Sequence, residues 1–150
     1  MALIWKNHLS VSNAVLDSEH KELLGLINSI EYAINVKDSC VMLNAIKKFK
    51  RCLDSHFLNE MQFAREFGIR FTDHALAHQH MQKELQHTIN QLEGRAGTWP
   101  EYVVDHYSQF LRGWLVEHIT QEDMLMKPLL QTQGNRIKTD RPGMMKYKLA

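Results

Sequence analysis

Residues 39–67 read SCVMLNAIKKFKRCLDSHFLNEMQFAREF, and Gly68 follows. Leu43, Ile46, Phe49, Leu53, Phe57 and Phe63 recur at helical steps, the spacing that gathers side chains on one side of an α-helix. Gly68 is the residue type that most readily takes the left-handed conformation ending a helix. The stretch predicts one long amphipathic helix, whose apolar face must be covered by other helices. His56 and Glu60 stand four apart within it, so they share a face one turn from each other.

The flanking sequence predicts the covering helices. From Asp17, a plausible N-cap, to about Val36, the residues Leu23, Leu24, Ile27, Ile30 and Ile34 keep helical spacing. A third helix starts near Thr72 or Asp73 and ends at Gly94, with a weaker apolar set of Leu76, Met81, Leu85, Ile89 and Leu92. A fourth opens at Thr98-Trp99-Pro100-Glu101, a capping-box spacing with proline in the first turn, and runs through Val103, Tyr107, Phe110, Leu111, Trp114 and Leu115 to His118. Four long helices with short connections predict an all-α, up-down-up-down four-helix bundle over residues 1–130. Residues 1–16 read as an irregular N-terminal arm whose Trp5 can pack on the bundle. Residues 131–150, QTQGNRIKTDRPGMMKYKLA, lose the periodicity and read as a basic C-terminal tail.

Composition narrows the function classes. The 150 residues suit one domain with a real core. A net charge of +1, from 18 basic and 17 acidic residues, gives no electrostatic case for nucleic acid. No segment approaches the ~20 apolar residues of a membrane span, and residues 1–10 lack the apolar run of a signal peptide. A cytoplasmic location follows as the expectation, with Cys40 and Cys52 as two buried, reduced thiols. A bundle of this size is expected to stand as a monomer.

Five histidines and two carboxylates fall on the four helices: His20; His56 with Glu60; His74 with His78; His118 with Asp123. Imidazole with carboxylate is a donor set for iron or zinc. Seven groups exceed the needs of one ion but suit two that share bridging carboxylates. Leaving so many imidazoles and two carboxylates in a bundle core without partners would cost several kcal/mol. One geometric demand follows. His118 and Asp123 are five apart, about 140° apart on an ideal helix, so the helix must loosen or end between Ile119 and Glu122. His8, His80, His87 and His106 read as exposed, or as groups standing behind the ligands; His80 cannot share the face of His74 as His78 does. Glu84 and His87 make one Glu-x-x-His, and a ferritin-like oxidase would need two.

The chain resembles the hemerythrin family, most of all its bacterial single-domain members. The matching stretches are Trp5 with the following arm, Asp17-Ser18-Glu19-His20-Lys21-Glu22-Leu23, His56-Phe57-Leu58-Asn59-Glu60, His74-Ala75-Leu76-Ala77-His78, and Trp114-Leu115-Val116-Glu117-His118-Ile119 followed by Asp123. Two departures are visible: Met61 stands where bacterial members often carry a second acidic residue, and Ile69-Arg70-Phe71-Thr72-Asp73 lacks a common Tyr-Pro.

The resemblance implies a non-haem di-iron site that binds O2 reversibly. Glu60 and Asp123 would bridge the irons, with an oxo or hydroxo bridge beside them. His74, His78 and His118 would complete one iron, and His20 and His56 would hold the other, where O2 enters. Phe57, Trp114, Leu115 and Ile119 would line the O2 pocket. The expected role is oxygen storage, transport or delivery to an oxygen-consuming enzyme, not catalysis. The alternatives are O2 or redox sensing toward a signalling partner, and di-iron chemistry on nitric oxide or peroxide.

Overall fold

The fold is that of a computed structural model, in which residues 2–94 and 101–131 are described. Four long helices form among them: α1 (Ala14–Asn35), α2 (Ser39–Phe67), α3 (Thr72–Gly94) and α4 (Glu101–Glu117). No strand occurs among the described residues, and the architecture is the expected all-α four-helix bundle. The capping box expected at Thr98 and the basic tail beyond Gln131 lie outside the described residues.

Local chemistry sets each helix end. The N-cap of α1 is Asn13, not Asp17: its side chain accepts the backbone N–H groups of Val15 and Leu16, both at 3.0 Å. Asp17 lies in the first turn and ties down the arm instead, accepting from the Ser10 hydroxyl at 2.5 Å and the Val11 N–H at 2.9 Å. The arm is consequently shorter and more ordered than residues 1–16 suggested. Asn7–Leu9 form a 3-10 turn, the Asn28 side chain brackets both backbone groups of Leu3, and Trp5 packs on the core beneath the Lys21 ammonium. Asp38 caps α2 through the Val41 N–H, and Gly68 ends it with φ 66°.

The core divides into two apolar layers. The larger joins all four helices through residues such as Ile27, Ile30, Phe49, Leu53, Leu85 and Leu111. The smaller gathers Val11, Val15, Leu16, Phe63, Met126 and Leu130 at the other end. Two expectations need correcting. Leu76 faces solvent, because five residues before Met81 it lies about 140° round α3 from the stripe of Met81, Leu85, Ile89 and Leu92. Cys40 is exposed and Cys52 half-buried, so the thiols are free, as expected, but not core residues.

Candidate metal centre

Between the two apolar layers lies a polar one. Along α1, Leu16 of the small layer precedes His20, and Leu23 of the large layer follows. Along α2 the order is Phe57, Glu60, Phe63; past α4 it is Ile119, Asp123, Met126. His20, His56, Glu60 and Asp123 have no exposed surface, and His78 and His118 almost none.

The His118–Asp123 segment meets its geometric demand in a specific way. After Glu117 the backbone widens into a five-residue π-helix, His118–Glu122, followed by a 3-10 turn, Asp123–Met126. The Asp123 N–H bonds the His118 carbonyl five residues back. That i to i+5 pattern returns the fifth residue toward the face of the first, which an α-helix would not.

The seven side chains converge as two groups. Glu60, His74, His78, His118 and Asp123 offer donor atoms within 4.8 Å of one another; so do His20, His56, Glu60 and Asp123. Both groups contain Glu60 and Asp123. His20 Nε2 lies 2.7 Å from Asp123 Oδ2, and His74 Nε2 lies 2.9 Å from both Glu60 Oε2 and Asp123 Oδ1. His78 Nε2 is 3.1 Å from Glu60 Oε2, His118 Nε2 is 3.1 Å from Asp123 Oδ1, and His56 Nε2 contacts Glu60 Oε1.

These contacts are close but poorly aimed. Both oxygens of Glu60, both of Asp123, and Nε2 of His74, His78 and His118 are buried without a properly directed hydrogen bond. Buried polar atoms normally find aligned partners. Here the donor atoms gather within 4.8 Å of one another without aligned hydrogen bonds, as the ligands of a metal ion do. The nitrogen and oxygen donor set fits iron or zinc.

Other residues aim the imidazoles. His56 Nδ1 donates to Glu19 Oε1 at 3.1 Å, and Asn59 Nδ2 fixes the same carboxylate at 2.5 Å. His118 Nδ1 donates to Glu122 Oε2 at 2.6 Å. A carboxylate can only accept here, so each ring keeps a proton on Nδ1 and leaves Nε2 as the atom that can turn to a metal once any proton it holds is lost. Phe57 stacks on His78 at 3.6 Å, Trp114 stacks on His118 at 4.8 Å, and Phe71 lies 4.4 Å from His74. Leu115 and Ile119 are completely buried in the large layer. The positioning roles of Glu19, Asn59, Glu122 and Phe71 were not anticipated from sequence. Only Glu122, four residues after His118, left a helical-spacing signal. His8, His80, His87 and His106 are exposed, as expected.

Without metal, protons balance the charge. Burial pushes Glu60 toward neutrality, but the charge of His56 and contacts from His118, His20 and His56 hold its carboxyl well below the usual range. Burial and the Glu60 charge oppose ionisation of Asp123, yet His118, His20 and His56 also keep it ionised. Burial likewise disfavours charge on the histidines. The Glu60 carboxylate nevertheless holds His56 well above its ordinary value, contacts with Asp123 and Glu60 raise His74 to about 9, and the Asp123 charge and the Glu122 hydrogen bond raise His118 to about 10. His78 moves down, because burial and the neighbouring His118 and His74 charges outweigh Glu60.

Comparison with known proteins agrees with this geometry. Residues 11–130 match the model of the hemerythrin HHE cation binding domain. Bacteriohemerythrin of Pseudomonas aeruginosa is 26% identical over 123 residues, covering 81% of this chain and 76% of its own. Bacteriohemerythrin of Pseudomonas paraeruginosa matches with the same identity and coverage. With four helices delivering five histidines and two shared carboxylates into one buried layer, and a family match spanning most of its length, the chain belongs to the hemerythrin family.

Proposed function

We propose that this protein binds O2 reversibly at a non-haem di-iron centre and serves oxygen storage, transport or delivery rather than catalysis. His74, His78 and His118 would hold one iron, His20 and His56 the other, with Glu60 and Asp123 shared. When bound, the ferrous pair supplies the electrons that O2 takes up and gives back. The observation that carries the proposal is the meeting of two donor groups at the same two buried carboxylates. The name of the Pseudomonas relatives, bacteriohemerythrin, supports it.

The chain's own residues make reversibility physically reasonable. Apolar layers flank the polar one on both sides, which limits the access of water and protons to the site. Phe57 and Trp114 cover ring faces of His78 and His118, and Leu115 and Ile119 stand buried in the same layer. Glu19 and Glu122 lock the tautomers of His56 and His118. No helix among the described residues is long and apolar enough to cross a membrane.

Replacing Glu60 or His118 with Ala tests the proposal. Iron retention and the O2-dependent visible spectrum should disappear together. Reversible O2 binding by an iron-free variant would refute it.

A further inference from the structure

The seven site residues are unequally accessible. The side chain of His74 is 10% exposed, whereas the other six are at most 6% exposed. His74 lies in the first turn of α3, and it forms part of the wall of a surface groove of about 300 Å³. Ile69, Arg70, Asp73, Glu122, Leu125 and Met126 complete that wall. The groove therefore meets the site at His74, whose buried Nε2 lies 2.9 Å from both shared carboxylates without an aligned hydrogen bond.

We propose that this groove is the route by which the metal ions reach and leave the site, with Glu122 and Asp73 as collecting carboxylates and His74 as the first buried ligand. The inference rests on the metal-site reading above. Glu122 is suited to the task because it is 35% exposed and places Oε2 4.0 Å from His74 Nε2. An exposed carboxylate oxygen thus stands next to the first buried ligand nitrogen. An ion held there lies beside His118, to which Glu122 is already bonded. In the opposite group, His20 and His56 have no exposed surface. Arg70 is the opposing feature: its guanidinium at the rim repels an approaching cation.

A route is a kinetic property, so it is separable from affinity. A barrier on the path slows arrival and departure by the same factor and leaves occupancy unchanged. The experiment measures exchange of bound iron for 57Fe(II) in the loaded, oxygen-free protein, read by mass spectrometry, alongside iron per chain. Leu125→Trp places a large side chain in the groove at a position 76% exposed, where the fold has little to lose. It should slow exchange tenfold or more at unchanged iron content. Arg70→Glu should speed uptake of Fe(II) by the metal-free protein roughly tenfold at low salt, the lower end of steering effects in charged clefts, and the gain should shrink in high salt. Tyr32→Trp, exposed on α1, is the control and should exchange at the parental rate. Two irons per chain, with exchange insensitive to Leu125→Trp and uptake insensitive to Arg70→Glu, would overturn the route alone. A parental protein that holds no iron would overturn the metal-site reading and this inference with it.

Discussion

Loading the site with metal should expel close to three protons at pH 7. In the metal-free protein His56, His74 and His118 are all held above neutrality, His74 to about 9 and His118 to about 10. Glu60 and Asp123 are already ionised and have no proton to give, and His78, shifted down, carries little. A ligand nitrogen must be free of its proton to bind metal, so each of the three raised histidines contributes one. Apparent metal affinity should then rise about a thousandfold per pH unit from pH 7 until the His74 value near 9 is passed. At 1.36 kcal/mol for each proton and pH unit, that is about 4 kcal/mol per pH unit. The assay adds ferrous ion to metal-free protein without oxygen in dilute buffer, with an indicator dye counting released protons. Fewer than one proton per loaded chain at pH 7 would refute the charge balance derived for this pocket.

Further expectations follow from the same structure. The metal-free protein should be most stable between about pH 5 and 6.5, by thermal melts followed with circular dichroism. The raised histidines stabilise the fold fully below their unfolded value near 6.5 and cease to do so as pH climbs through 9 to 10, while the depressed carboxyls stabilise above about 4.5 and fail as pH falls through their folded values. Glu19→Ala should weaken metal retention about 10- to 100-fold in a chelator competition while the helical spectrum persists, because it frees the ring of His56. Leu53→Ala, at a completely buried position of the large apolar layer, should cost about 2–5 kcal/mol in denaturant unfolding.

The helices were legible because apolar periodicity and caps are local. Residues 39–67 carry both signals and form α2 with those same bounds. The start of α1 was misplaced because Asp17 looks like a cap from sequence; in the fold its carboxylate is occupied by Ser10 and Val11, and Asn13 does the capping. Leu76 was misjudged because the apolar stripe of α3 is thin, so one leucine off the stripe looked continuous with it. The donor set was legible from residue type and spacing, and the five-residue step from His118 to Asp123 even required the loosened turn found at His118–Glu122. Of the residues that aim the imidazoles, only Glu122, at helical spacing from His118, left a signal in the sequence. Glu19 reaches His56 across 37 positions of sequence, and nothing in either local stretch reports that contact.

The most direct test of the di-iron O2 reading is the visible spectrum of the ferrous protein, prepared without oxygen, exposed to air and purged again, with iron quantified per chain. Two irons per chain and an absorption band that appears with air and vanishes on purging is the expected result. One metal or none per chain, or a band that purging never removes, would contradict it.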